Sequence, residues 1–419
     1  MGRRQSSFEA LVPASVLLTA AALIAVSASA PVSAQELAPD GEVALRYAGA
    51  FVMDDASSDI LNSGLETAFR LGLKASDARN LVSAELSLSS GDIGSVNSPW
   101  QAFGRFGAGQ AVHLDRAWIA VASSPLPELS LVLGQSPVPW GRGEVVWDAD
   151  LTLPGLWVNL ESAERRRLGA WQGGRVNLGA VYLSSGASVL EENTLLFGGE
   201  LSGRWGFEHS SLEMEVGYFD LVGARRLGRA VARGDVVVGT RPRGFSSNTT
   251  DSDLQDPDLE LTRRLVVDGF SSDFNILSAG VRCVFTLGED DPIDLVLDIS
   301  AAMNLGARGA GADAPFALEV GAQFGVADKA GRGQVRLFGV AIGADAVLDL
   351  TNADLYGTNV LGVGVAGALV LFEGVTLSFD TLASAQLDPA LRGLGDGRGE
   401  SLASDSSAIQ MRITAGYDF

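Results

Sequence analysis

Segments of about ten residues, in which apolar and polar side chains alternate, recur along most of the chain. In one of them Leu65 and Phe69 fall on one face, while Glu66 and Arg70 fall on the other, because successive side chains of a strand point to opposite sides. After the N-terminal region, no apolar run reaches the roughly 20 residues that a membrane-spanning helix needs. Repeated alternating segments separated by turn residues are typical of a transmembrane β-barrel.

The pattern predicts about sixteen strands, in an all-β fold that is a transmembrane antiparallel β-barrel. They are expected at residues 42–51, 63–73, 80–89, 112–122, 129–136, 163–171, 175–184, 194–206, 210–221, 273–287, 292–303, 315–326, 332–343, 359–371, 374–385 and 406–419. The sixth, 163–171, alternates least and is included because strands must run alternately up and down. Region 222–272 could hold a further hairpin, so about eighteen strands is the alternative. Either number leaves an aqueous lumen.

The lengths of the links predict the orientation of the barrel. Short links such as 288–292, 328–333 and 372–374 are expected in the periplasm, together with both chain ends. The longer links are expected outside the cell, as eight loops. Their predicted positions are 52–62, 90–111, 137–162, 185–193, 222–272, 304–314, 344–358 and 386–405.

The N-terminus has the order of a secretory signal peptide. Arg3 and Arg4 precede an apolar stretch at 11–26, and the small residues of Val32-Ser33-Ala34 follow it. We expect residues 1–34 to be cleaved during export, and residues 35–419 to form a single barrel domain. The first strand begins soon after this cut, which leaves no length for an N-terminal plug.

The last predicted strand ends on a terminal aromatic residue. Tyr417 and Phe419 fall on the apolar face of "SAIQMRITAGYDF". Such an ending resembles the assembly signal that the barrel-assembly machinery reads in bacteria. The sequence therefore predicts a bacterial outer-membrane protein whose partners are outer-membrane lipid, lipopolysaccharide and, during biogenesis, that machinery.

Charge and rare residues narrow the range of functions. The chain carries 30 basic and 51 acidic residues, a net charge of −21, and removal of Arg3, Arg4 and Glu9 with the signal peptide would leave −22. A surface this acidic argues against nucleic acid as a partner. The single cysteine excludes an internal disulfide. The two histidines, His113 and His209, have no evident catalytic partners. We therefore expect no enzyme activity, no cofactor and no metal.

One segment departs from the alternation and carries a family resemblance. "LSLVLGQSPVPWGRGEVVWDADLTLPG" (129–155), with "LDRAWIAV" (114–121) before it, resembles a stretch of the bacterial outer-membrane β-barrel porins named "Putative porin". The shared elements are an Arg-Ala-Trp strand, a Trp-Gly and a Trp-Asp followed by a second Asp. Similarity to phosphate-selective porins is weaker, because Lys74 and Lys329 are the only lysines.

In classical sixteen-strand porins the third external loop folds into the barrel and narrows it, and by that analogy we expect loop 137–162 to do the same here. Opposed charges across a narrow aqueous passage select solutes by charge and dipole. The residues expected at the constriction are Arg142, Glu144, Asp148, Asp150, Arg165, Arg166 and Arg167. The alternative is a compact loop over the rim, with turns fixed by proline and glycine and tryptophans packed together.

The polar faces of the strands predict the pore lining. It is expected to include Glu66, Arg70, Asp294, Asp298, Glu319 and Arg412. Six arginines of region 222–272 form either an anion-attracting vestibule or a solvated loop; they are Arg225, Arg226, Arg229, Arg233, Arg241 and Arg243.

The predicted function is a porin, a diffusion channel for small hydrophilic solutes or ions. The alternative is a structural or adhesive barrel with an occluded lumen. Sixteen-strand porins are trimers, so by analogy a homotrimer is the candidate assembly.

Overall fold

The computed structural model describes most of the chain after the predicted signal peptide. The described residues are 36–53, 58–77, 81–91, 101–102, 111–123, 126, 128, 129–141, 145–148, 151–162, 170–184, 193–224, 227, 270, 272–288, 292–308, 313–348, 356–387 and 407–419. Among them, no helix is long and apolar enough to cross a bilayer.

The described residues form sixteen long strands and one strand of two residues. In chain order they are β1 (Glu36–Met53), β2 (Ser58–Ser76), β3 (Val82–Gly91), the short β4 (Gln101–Ala102), β5 (Ala111–Ala122), β6 (Leu129–Pro137), β7 (Thr152–Glu161), β8 (Trp171–Ser184), β9 (Asn193–Gly206), β10 (Ser210–Val222), β11 (Phe274–Leu287), β12 (Ile293–Asn304), β13 (Phe316–Gly325), β14 (Gly333–Ile342), β15 (Val360–Phe372), β16 (Val375–Gln386) and β17 (Ser407–Asp418).

The long strands pair in chain order and close into a barrel. Each is antiparallel to its neighbours, and β4 pairs at two positions with β2. Closure is made by β1 and β17, from Glu42 opposite Asp418 to Met53 opposite Ser407. The carboxyl end of the chain lies at the rim where the short links 207–209 and 373–374 join strands. We call this the short-link rim, and the opposite end the long-loop rim.

The two faces of the wall differ as the alternation predicts. Leu201, Val216, Leu337 and Val363 are 54–67% exposed on the outer face. Their neighbours on the inner face are polar, charged, small or covered by other residues. An apolar outer band around a polar interior is the arrangement of a transmembrane barrel.

Fifteen of the sixteen predicted strands are confirmed near their predicted positions, and the first two are longer than predicted. The sixth is wrong: the strand between β6 and β8 is Thr152–Glu161, which pairs with both. Pro154 and Gly155 suggested a turn, but they lie within the strand, Pro154 on its exposed outer face. The third link at the long-loop rim is therefore 138–151, shorter than the predicted 137–162.

The eighteen-strand alternative is also wrong. β10 and β11 pair directly at twelve positions, from Ser210 opposite Phe285 to Leu221 opposite Phe274. Because the wall is continuous there, a hairpin from 223–273 cannot be inserted between the two strands. The link itself lies almost entirely outside the described residues.

Candidate functional site: the lumen and the segments folded into it

The link between β6 and β7 packs inside the barrel. We call residues 138–141 and 145–148 of this link the inner segment. Trp140 and Trp147 are 1% and 5% exposed, and their rings lie 4.9 and 4.8 Å from that of Phe219 on β10. Trp140 also meets Trp157 of β7 edge-on at 4.8 Å. Since Leu156 and Tyr218 are exposed on the outer face, Trp157 and Phe219 face the lumen.

Two glycines make room for these rings. Register places Trp157, Gly179, Gly198 and Phe219 side by side across β7 to β10. A Cβ on Gly179 would lie 2.3 Å from Trp157 and 2.6 Å from Trp140, and one on Gly198 would lie 2.4 Å from Phe219. Any larger residue at either position would therefore displace the aromatic cluster.

Polar contacts hold the inner segment at mid-height on the wall. The backbone N–H of Gly141 donates to Glu200 Oε2, and Asn177 Nδ2 donates to the carbonyl oxygen of Pro139 at 2.7 Å. Glu200 is the eighth of the fourteen residues of β9. The segment therefore reaches about half the depth of the strand on which it rests.

A second link from the long-loop rim also packs inside. In the stretch that joins β14 to β15, Asp345, Ala346 and Val347 are fully buried and Tyr356 is 4% exposed. Asp345 accepts a hydrogen bond from Ser272 Oγ at 2.6 Å, and its carbonyl oxygen accepts one from Asn304 Nδ2 at 2.7 Å. One continuous hydrophobic cluster connects this link with Trp140 and Trp147.

Ion pairs line the inner wall from β1 to β5. Arg46 contacts Glu66 at 2.6 Å. Arg70 contacts Asp115 at 2.6 Å and Glu42 at 3.4 Å. Further pairs join Arg116 to Glu85 at 3.1 Å and Lys74 to Asp40 at 2.9 Å. Each basic group lies beside a carboxylate, so this part of the wall is polar but nearly charge-balanced.

On the opposite wall, Arg336 of β14 is shared by two carboxylates. It contacts Asp298 Oδ2 at 2.7 Å and also Glu319 Oε1. Gly321 lies between them, and a Cβ there would be 2.8 Å from both Arg336 and Asp298. The guanidinium also lies 5.4 Å from the ring of Phe338.

The structure places the six predicted pore-lining residues on the inner face, in three groups. Glu66 and Arg70 belong to the ion pairs of β1 to β5. Asp298 and Glu319 flank Arg336. Asp294 accepts a hydrogen bond from Thr286 Oγ1 at 2.9 Å, and Arg412 interacts electrostatically with Asp380.

Of the residues predicted at the constriction, only Asp148 is described, and it is half-buried. Arg142, Glu144, Asp150 and 165–167 lie outside the described residues, as do Arg225, Arg226, Arg229, Arg233, Arg241 and Arg243. The packing of Trp140 on Trp147, with ring centroids 5.2 Å apart, was expected only for a loop over the rim. The sequence did not indicate that these rings, Gly179 and Gly198 would position the inner segment inside the barrel. Their relation depends on strand register, which no single segment reveals.

A closed antiparallel barrel with an apolar outer band and a charged inner wall is the architecture of the bacterial outer-membrane channel proteins. The sequence profile of the family described as "Putative porin" matches residues 54–412. The chain therefore belongs to that family. It is a porin of the bacterial outer membrane, and both the family and the fold make it a channel rather than an enzyme.

The chain is also similar to solved porin structures at low sequence identity. A triple mutant of the Rhodopseudomonas blastica porin is 10% identical, covers 92% of this chain and 100% of its own, and has a TM-score of 0.43. OmpF of Salmonella typhi in complex with daunomycin is 10% identical, with coverages of 91% and 97% and a TM-score of 0.47. OprB of Pseudomonas putida is 11% identical, with coverages of 91% and 94% and a TM-score of 0.48. No curated protein matches the chain.

Proposed function

We propose that this porin passes small hydrophilic solutes and ions through a lumen that the inner segment narrows. The proposal rests on the packing of Trp140 and Trp147 against Phe219, on the luminal side of β10. A segment held at mid-height on one wall reduces the free cross-section there. Asp148, at the end of the inner segment, would add a negative charge to the passage.

The corrected position of β7 changes one part of the constriction. Arg165, Arg166 and Arg167 follow β7 in sequence, and the flanking strand ends, Glu161 and Trp171, lie at the short-link rim. They are therefore not the basic partners of the inner segment in this proposal. Arg142, Glu144 and Asp150, which lie close to it in sequence, remain proposed constriction residues.

Single-channel recording in planar bilayers tests the constriction. The double variant Trp140→Ala/Trp147→Ala should conduct more than the wild type, because the inner segment loses the rings that hold it to the wall. The matched control is Trp171→Ala/Trp205→Ala, which removes two rings whose centroids are 4.9 Å apart. These rings pack against Gly203 on the outer face of the barrel, so they lie away from the lumen. Equal conductance of both variants would contradict the constriction.

The reversal potential in a salt gradient tests the charge of the inner segment. Asp148→Asn, alone or with Asp150→Asn, should reduce the preference for cations, since a fixed negative charge concentrates counter-ions in a narrow passage. An unchanged potential would remove this segment from ion selection. If correctly folded wild-type protein gives no discrete openings, the alternative stands, a barrel occluded by its inward-folded links.

We also propose cleavage after Ala34, recognition of Tyr417 and Phe419 by the barrel-assembly machinery, and contact of the outer wall with lipid and lipopolysaccharide. The chain order of the N-terminal region supports the first. The exposed apolar outer band supports the last. A homotrimer stays a prediction. The molecular mass of the purified protein in detergent tests it.

A further inference from the structure

Strand β5 contains one residue more than its partner β3 at the height of Ser87. Leu114 pairs with Leu88, and Arg116 pairs with Ser87. Asp115 lies between these two pairs as an extra residue. Such a β-bulge places two residues of one strand opposite a single residue of the other, so the alternation of the two faces is interrupted at this point of the wall.

The bulge directs two adjacent charged side chains into the lumen. On the short-link side of the bulge, Val121 is 45% exposed on the outer face, and on the long-loop side Val112 is 55% exposed there. Alternation from Val121 puts Arg116 on the inner face, and alternation from Val112 puts Asp115 there too. A regular strand would place one of the two against lipid, where a charged side chain is destabilising.

Gln135 of β6 holds this bulge from the other side. The pairing of β5 with β6 stops at Ala117 and Gln135, so the ladder does not extend to Leu114 and Asp115. The side-chain amide of Gln135 donates instead to the carbonyl oxygen of Leu114 at 3.2 Å and to that of Asp115 at 2.8 Å. One side chain thus supplies the donors that a neighbouring strand would supply in a regular sheet.

Gly134, the residue before Gln135, allows the two strands to approach at the bulge. Its φ is 125°, a conformation that favours glycine. A Cβ at this position would collide with the carbonyl oxygen of Ala117. The dipeptide Gly134-Gln135 therefore fits β6 to the irregular backbone of β5.

The carboxylate of Asp115 lies between two arginines. Its Oδ2 accepts a hydrogen bond from Arg70 Nε at 2.6 Å and lies 3.6 Å from Arg116 Nε. Ser87 Oγ donates to the same oxygen at 3.4 Å. The side chain of Asp115 is 10% exposed, so these partners fix its position in the wall.

Asp115 gives the ion-paired wall of β1 to β5 its excess of negative charge. Five carboxylates and four basic groups of the described residues take part in these pairs; they are Asp40, Glu42, Glu66, Glu85 and Asp115, with Arg46, Arg70, Lys74 and Arg116. Without Asp115 the two sets would be equal. A fixed charge in an aqueous passage concentrates ions of the opposite sign, so this carboxylate favours cations.

We propose that Asp115 determines part of the ion selectivity of the channel and that Gln135 is its positioning residue. Gln135 holds the bulge, and the bulge keeps the Asp115 carboxylate in the lumen between Arg70 and Arg116. The inference rests on the proposed function, since ion selection requires a conducting lumen. It adds a contribution from the wall to that of the inner segment.

The reversal potential in a salt gradient at low ionic strength tests Asp115, because salt screens fixed charges. Asp115→Asn should lower the cation-to-anion permeability ratio by roughly two- to fourfold, since one fixed negative charge is lost. Asp115→Glu keeps the charge and should stay close to the wild type. The control is Glu373→Gln, which removes a carboxylate from the exposed link between β15 and β16 and should leave the ratio unchanged.

Gln135→Met tests the positioning role, because it removes the amide and keeps the length of the side chain. It should also lower the permeability ratio, since the relaxed bulge no longer holds Asp115 between the arginines. In Asp115→Asn/Gln135→Met the second change should add nothing, because Gln135 acts through Asp115. The matched control is Gln323→Met, which removes an amide that donates to the carbonyl oxygen of Gly325 and should leave the ratio unchanged.

Additive effects of the two changes would overturn the positioning role of Gln135. If Gln135→Met does not fold, Gln135→Asn, which moves the amide back by one methylene, takes its place in the same comparison. Discrete openings with an unchanged ratio in Asp115→Asn would overturn the inference and leave the porin function standing. A folded wild-type protein without openings would overturn both.

Discussion

Gly179 and Gly198 on neighbouring strands determine where the tryptophans of the inner segment lie. Gly179→Ala should displace the cluster, because the added Cβ would approach Trp157 and Trp140 within 2.3 and 2.6 Å. We expect a higher single-channel conductance and a loss of roughly 1–3 kcal/mol in stability from overpacking. Gly199→Ala is the control, since its Cβ would meet only the outer-face side chain of Leu178 and a more distant carbonyl. If Gly179→Ala conducts like the wild type, Gly179 does not determine the position of the tryptophans.

Arg336 illustrates how burial determines the contribution of an ion pair to the free energy of unfolding. Arg336→Ala would leave Asp298 and the nearly buried Glu319 without their cation, at a cost of about 3 kcal/mol. Arg308→Ala would break a pair with Asp273 in which both side chains are about half exposed or more, at a cost of about 0–1 kcal/mol. Melting of the folded form, followed by electrophoresis without boiling, compares them. Equal melting temperatures would show that the Arg336 contacts are not stabilising.

At the level of elements, the link between β14 and β15 depends on a buried hydrogen bond. Ser272→Ala removes the hydroxyl that donates to Asp345 Oδ2 at 2.6 Å, where both residues are at most 1% exposed. We expect a loss of about 1–3 kcal/mol, because the carboxylate stays buried without this donor. Ser211→Ala, on the half-buried inner face of β10, should cost less. Equal losses in thermal melting would contradict the anchoring role.

The wall was largely predictable from sequence because each strand carries its own alternation. β7 was not, since Pro154 and Gly155 interrupt the visible pattern while Leu156 and Leu160 still face outwards. The inward path of the link that follows β6 was expected from a family resemblance alone. The position of this link inside the barrel depends on Gly179 lying opposite both Trp157 and Gly198. That register is a property of four strands together, which the alternation of one strand cannot supply.

For the whole molecule, the carboxyl terminus is part of the wall as well as a proposed assembly signal. The backbone of Phe419 exchanges two hydrogen bonds with Gly41, and its ring covers that glycine and stacks on Tyr417 at 5.9 Å. Phe419→Ala should reduce the amount of heat-modifiable protein in the outer membrane. Phe372→Ala, which removes another exposed aromatic at the short-link rim, should not. Equal yields would argue against recognition of the terminal residue.

The seam between β1 and β17 has a consequence for the time course of biogenesis. Its twelve paired positions join the first described strand to the last, residues more than 350 apart in sequence. The first strand must therefore remain without its final partner until nearly the entire polypeptide has been exported. Contacts between such distant residues form slowly, and an unsealed sheet edge can pair with other chains. A partially inserted intermediate would need its open edge shielded until the last strand arrives, and mutations that slow this sealing would act on yield before they affect conduction.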